Sequence, residues 1–161
     1  MNYQIVPYST EHKEQAASLI VGIQAGEFGV PITLADQPDL LSVDEFYRHG
    51  RGDFWVALKD GQVVGTVALR DIGNSQGALR KMFVHPKHRG AEKGVAAGLL
   101  NCLLDETKRR GFQEIFLGTT EAFHAAHRFY EKHGFELISP EELPPPFPRM
   151  KQDTRYYRKA I

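Results

Sequence analysis

In the stretch "VHPKHRGAEKGVAAGLL", residues 84–100, Gly90 and Gly94 stand four residues apart, each preceded by a cation, Arg89 and Lys93. An apolar run ends just before them, and an Ala/Leu-rich segment of helical character follows. Glycine lets a backbone approach a ligand closely, and a helix opening near Gly94 aims its unpaired N–H groups and positive dipole end at the same spot. With two cations beside it, such a loop suits an anion, a phosphate or pyrophosphate held by backbone and side chains together. No Gly-Lys-Ser/Thr follows and the Gly-x-Gly-x-x-Gly spacing is missing, so the P-loop and dinucleotide readings drop out. A glycine-bearing loop before a helix is otherwise a plain connection, and its surroundings have to decide.

Other reactive side chains read more plainly. His85 with His88, and His124 with His127, share a three-residue spacing, but no Cys or carboxylate completes a set, so no metal is expected. Cys102 falls on an apolar helix face and reads as core; a lone cysteine makes no internal disulfide, which agrees with a reducing compartment. "KRRG" (108–111) puts cations at a helix end, where they complement the dipole. Twenty Lys and Arg balance twenty Asp and Glu over 161 residues, so total charge favours neither nucleic acid nor an anionic membrane.

The elements that must position this loop come from periodicity. "YQIVPY" (3–8) reads as a strand, and Ser9 or Thr10 can cap a helix with Ala16, Leu19, Ile20 and Ile23 on one face. Residues 26–40 are too rich in Gly, Pro and Asp for a regular element, and a short helix is expected around "VDEFYRHG". "FWVAL" and "VVGTVAL" flank "KDGQ", where Asp60-Gly61 suits a tight hairpin turn. A strand over 78–84 runs into the glycine loop. A helix to about Arg110 carries Val95, Leu99, Cys102 and Leu103 on one face, and Gly111 stops it. Then come a strand at 114–120, a helix over 121–134 closed by Gly134, a strand "FELI", a proline-bearing tail, and a last strand in "TRYYRKAI". Strand, helix, strand with short loops requires a right-handed parallel crossover from 78–84 to 114–118. The size suits a single domain over 1–161. "MNYQIVPYST" has no basic n-region or long apolar run, and no segment is long enough to span a bilayer, so a cytoplasmic protein without a membrane partner is expected.

Two motifs in order, "MFVHPKHRGAEKGVAAGLL" and "HAAHRFYEKHGF", with a strand between them, resemble the GNAT superfamily of acyl-CoA-dependent N-acyltransferases. The hairpin and the first strand and helix also fit, so the resemblance covers about residues 3–138. It implies a mixed α/β (α+β) fold: a mostly antiparallel central sheet flanked by helices, with one parallel, splayed strand pair. It also implies acetyl-CoA as acyl donor. Met82, Phe83 and Val84 would lie along the pantetheine arm, and Arg89, Gly90, Ala91, Glu92, Lys93, Gly94, Val95 and Ala96 on the pyrophosphate. Gly118, Thr119, Thr120 and Phe129 would face the arm from the other side, and Tyr130 would stand near the sulfur to protonate the leaving thiolate. The loop departs from the usual pattern: Ala91 stands where Arg or Gln is common. In the second motif Phe123 replaces the familiar Asn.

The chemistry follows from the reactants. An amine attacking a thioester must be neutral, so a carboxylate, His or water chain should accept its proton, while the thiolate gains from a nearby donor. A strand N–H, that of Phe83 or Val84, can steady the oxyanion. Glu27, in the long loop, is the expected base, with Asp36 and Glu45 as alternatives. The acceptor, a small-molecule amine or a peptide, would meet the 26–50 loop and the "ELPPPFPRM" tail, where Phe28, Phe46, Tyr47, Phe147, Arg149 and Tyr156 are candidate lining. The alternative is a non-catalytic acyl-CoA-binding sensor. A monomer or homodimer is expected, since the last strand can pair within the chain or with another.

Overall fold

The computed structural model of the chain describes residues 3–121 and 123–161, and Met1, Asn2 and Ala122 lie outside them. The first two residues of "MNYQIVPYST" and one position of the helix expected over 121–134 therefore fall outside the described residues.

Strand β1 (Gln4–Pro7) leads through a 3-10 turn to α1 (Lys13–Val21), which continues as a π-helical segment, Gly22–Glu27. Short helices α2 (Pro38–Leu41) and α3 (Val43–Tyr47) follow, the first arising inside the stretch expected to be irregular because Pro38 pre-sets its first turn. The hairpin β2 (Asp53–Lys59) and β3 (Gln62–Gly73) turns at Asp60 and Gly61, both at positive φ (51° and 77°). That is the primed turn whose twist suits flanking strands. Then come β4 (Gln76–Val84), α4 (Val95–Arg109), β5 (Glu114–Thr119), α5 (His124–Lys132), β6 (Glu136–Ile138) and β7 (Arg155–Ala160).

The seven strands form one sheet in the order β1-β2-β3-β4-β5-β7-β6, antiparallel except for the β4–β5 pair. Alternation of side chains gives the sheet two apolar faces. Trp55, Ala57, Val67 and Leu69 face α4, whose Leu99, Leu100 and Leu103 are fully buried, while Phe54, Val56 and Ala68 face α1 to α3 through Ile20, Leu40 and Tyr47. Helix α4 lies close on β3 because Gly65 has no side chain: a Cβ there would stand 2.8 Å from Leu99 Cδ1. Among the described residues no helix is long and apolar enough to cross a membrane.

Two irregularities of β4 matter most. Its pairing with β5 runs only from Gln76↔Glu114 to Ala78↔Phe116, so the two strands part beyond Ala78 and leave a wedge. On its other edge the register to β3 slips between Thr66 and Ala68, and the extra residue puts Lys81 at φ 55°. That is a β-bulge, which bends the strand and re-aims its side chains.

Candidate active site

A cavity of about 700 Å³ fills the wedge, and 33 residues line it, from the π-helical segment, β4, the glycine loop, β5, α5 and the tail. Strand alternation decides which backbone groups face it. His85 N–H donates to Val64 O of β3 (2.8 Å), so the next residue back, Val84, turns to the open side, where its carbonyl accepts from Arg89 Nε (2.9 Å). Val84 N–H therefore points into the gap, and that of Phe83 is turned to β3. Of the two expected oxyanion donors, the geometry keeps Val84.

At the wider end the glycine loop closes on itself. Gly90 has φ 114°, and Gly94, the N-cap of α4, has φ 71°. Side chains pay a strain cost at such angles and glycine does not. The Tyr3 hydroxyl donates to Gly94 O (2.6 Å) and fixes the start of the helix. Arg89, Gly90, Ala91, Gly94 and Ala96 line the cavity, as do Met82, Phe83, Val84, Thr119, Thr120 and Phe129. Three expected contacts do not. Val95 is 2% exposed and packs in the core, Lys93 Nζ donates to Lys87 O (2.5 Å), and Glu92 turns its carboxylate over Gly90, where a Cβ would meet it at 2.7 Å.

Glu27 is not a free carboxylate. Both of its oxygens accept from the Arg89 guanidinium, at 2.6 and 2.7 Å, and this hydrogen-bonded pairing outweighs burial and holds its carboxyl below the ordinary range. The pair clasps the end of the π-helical segment to the glycine loop. Beside it Phe28 meets Phe123 edge-on (centroids 4.8 Å apart), and Phe123 meets Phe83 in the same way (6.1 Å). Phe123, in place of the familiar Asn, thus completes an aromatic bridge across the cleft.

Tyr130 lines the cavity from α5 and is 4% exposed. Burial pushes its phenol well up, so it stays protonated, and its hydroxyl has no hydrogen-bond partner among the described residues. Opposite, the β5 terminus is held by His127. Arg155 Nη1 lies 3.0 Å from His127 Nδ1, and His127 Nε2 lies 2.8 Å from Thr120 O. Arginine can only donate, so Nδ1 accepts and the hydrogen sits on Nε2, donated to the carbonyl. Thr120 Oγ1 is buried with no partner among the described residues, a polar atom open to a ligand.

Beside the cavity, where Gln24 and Lys81 line it, lies a polar network that sequence reasoning missed. Lys81 reaches Asp39 Oδ2 (3.5 Å) and donates to Gln37, which pairs with Gln24, and the Tyr47 hydroxyl donates to the same Asp39 oxygen. Burial pushes the Lys81 ammonium down to about 8 against the pull of Asp39. A lysine inside the apolar run "ALRKMFV" was the available signal. Of the expected acceptor lining, Phe28 and Phe147 reach the cavity. Tyr47 and Tyr156 are buried beside it, Phe46 packs under Arg70, and Arg149 lies over Tyr156. Asp36 is tied into a turn with Thr33.

The wedge is open along Met82–Val84, carries an unpartnered hydroxyl, and ends at glycines before a helix N-terminus, so it fits a long, thin ligand with an anionic tail. Residues 23–135 match the profile of the acetyltransferase (GNAT) family. The structure resembles that of an acetyltransferase of the GNAT family from Staphylococcus aureus Mu50, with TM-score 0.94 and 34% identity over 98% of both chains. It also resembles that of an acetyltransferase from Streptococcus agalactiae 2603, with TM-score 0.95 and 31% identity over 100% of this chain and 99% of the other. An N-acetylaspartate synthetase from Xenopus tropicalis is 38% identical over 104 residues, 62% of this chain and 37% of that protein, so the match spans little more than a third of that relative's length.

Proposed function

Because the chain belongs to the acetyltransferase (GNAT) family, we propose that it moves an acetyl group from acetyl-CoA to the primary amine of an acceptor by direct attack. The observation that carries this reading is the parting of β4 from β5 beyond Ala78, which leaves strand groups free beside a glycine-capped helix. The donor supplies an activated thioester; the rest is done by the chain. Met82 offers backbone groups to the pantetheine arm, and the Thr120 hydroxyl finds its missing partner there. The amides at 90–96 and the Arg89 guanidinium receive the diphosphate.

Val84 N–H steadies the charge that grows on the carbonyl oxygen. As the N–C bond forms and the C–S bond breaks, Tyr130 donates to the sulfur. Its high pKa keeps the proton in place until then, and the same dry surroundings raise the basicity of the thiolate. The amine loses two protons in all: one before attack, to a base, and one as the amide forms, which replaces the proton given by Tyr130. Glu27, bound to Arg89, serves in this reading as the clasp of the diphosphate end rather than as the base.

Free thiol released from acetyl-CoA only when an amine is present tests the reading. Tyr130→Phe should lower kcat by about 10²-fold while the KM for acetyl-CoA stays within about twofold. An unchanged kcat would remove Tyr130 from the chemistry, and heat of acetyl-CoA binding without thiol release across a broad amine panel would leave a binding module in place of an enzyme.

A further inference from the structure

The proton that the amine loses before attack needs an acceptor, and the cavity offers one. Among the described residues Asp153 is the only Asp or Glu that lines it. It lies outside both family-like motifs, in the segment between the proline tail and β7. Thr154 N–H donates to Thr119 O (2.9 Å) and the Tyr156 hydroxyl donates to Asp153 O (3.2 Å), so this segment is laced to the end of β5. The carboxylate then lies flat against Gly118. A Cβ on Gly118 would stand 2.5 Å from Asp153 Oδ2, so only a residue without a side chain lets the carboxylate reach this depth. Gly118 belongs to the part of β5 beyond its pairing with β4, where the wedge is open.

The other acidic groups around the cleft are engaged: Glu27 with Arg89, Asp39 with Lys81 and Tyr47, Asp36 with Thr33. Asp153 has no cation within salt-bridge distance among the described residues. Its Oδ2 accepts a long bond from Met150 N–H (3.3 Å), and its Oδ1 has no hydrogen-bond partner among them.

Resting on the acetyl-transfer reading, we propose that Asp153 is the catalytic base: Oδ1 receives the acceptor's ammonium group, takes one proton from it and passes that proton to solvent. The neutral amine then attacks, the C–S bond breaks, and the second N–H proton balances the one donated by Tyr130. The setting suits the task. Burial raises the Asp153 carboxyl above its ordinary value against the Met150 amide and the charges of Arg80, Lys81 and Arg149, so it is a stronger base than a surface aspartate. Arg80 and Lys81 face it from β4 and Arg149 from the tail. Tyr156 adjoins it from β7, β5 brings Gly118, and α5 lines the same cavity with His124, Tyr130 and Lys132, followed by His133 just past its end.

Asp153→Asn tests the proposal, because the amide keeps an oxygen for Met150 N–H and the volume of the side chain. With an alkylamine acceptor at pH 7, kcat/KM should fall by about 10²-fold. Calorimetric Kd for acetyl-CoA and the melting temperature should stay as in the wild type. The deficit should shrink as pH rises toward the amine's own pKa, and vanish for an arylhydrazine or arylamine acceptor that is neutral at pH 7. A purely structural role predicts neither. Asp153→Ala, which does not depend on the Asn side chain seating correctly, should regain turnover when formate is added. An equal pH profile in wild type and Asp153→Asn, or a deficit just as large with the neutral acceptors, overturns the assignment while acetyl transfer stands. Absence of thiol release by the wild type with every amine takes both down.

Discussion

In the proposed reading Arg89 is the residue on which the donor end turns. Its Nε is spent on Val84 O and its two remaining nitrogens on Glu27, so a diphosphate must compete with a carboxylate for the guanidinium. Arg89→Ala should weaken coenzyme A binding by about 1.5–3 kcal/mol, the scale of a charge-assisted hydrogen bond, and leave a thioester truncated before the diphosphate unaffected. Glu27→Gln, which frees the guanidinium, should tighten coenzyme A; calorimetry with each variant reads both effects. At this scale the sequence was half legible. The glycines could be placed before a helix because their neighbours in the chain are their neighbours in space, while Tyr130 was singled out only through the family resemblance and does line the cavity. Glu27 was found but its partner was not, since the two stand 62 residues apart. Asp153 was passed over because its meaning comes from Gly118, on a strand reached only through the fold.

The bulge in β4 does for elements what Arg89 does for residues. It swings Lys81 out of the apolar pattern and onto Asp39, tying α2 and α3 to the middle of the sheet, with Tyr47 and the Gln24–Gln37 pair completing the bonds. Asp39→Ala leaves a buried ammonium alone and should cost about 3–5 kcal/mol in chemical denaturation. Lys81→Met together with Asp39→Leu, which removes both charges, should recover most of that loss. The hairpin at Asp60-Gly61 and the crossover through α4 were readable from local turn chemistry and strand–helix–strand order, and the wedge only through the resemblance to a known family. The bulge was not, because one extra residue in a run of nine leaves no mark in the pattern. Nor could periodicity show that β7 would lie between β5 and β6, a choice made by long-range pairing.

Over the whole molecule the balanced charge resolves into local pairs. Arg110 joins Asp53 and Glu106, Arg48 joins Asp44 and Asp53, and Arg158 joins Glu114 across β5 and β7. Hydrogen bonds from Arg109 and, against a small burial effect, Arg110 hold the Glu106 carboxyl down to about 2 from an ordinary 4.5. A depressed carboxyl adds stability that is complete above the unfolded value and is lost as pH falls through the folded one. The gap in unfolding free energy between wild type and Glu106→Gln should therefore be widest above pH 4.5 and close as pH falls toward 2. Titration of denaturant midpoints along that range checks it.

The insertion of β7 also imposes an order of events during synthesis. The groove for the donor is drawn by β4, the glycine loop and α4, all of which leave the ribosome well before residue 153. Residues 155–160 come last and take the place between β5 and β6, with the carboxylate at 153 against Gly118. A nascent chain stalled before them would lack the Thr154–Thr119 bond, the strand that joins β5 to β6, and the carboxylate against Gly118.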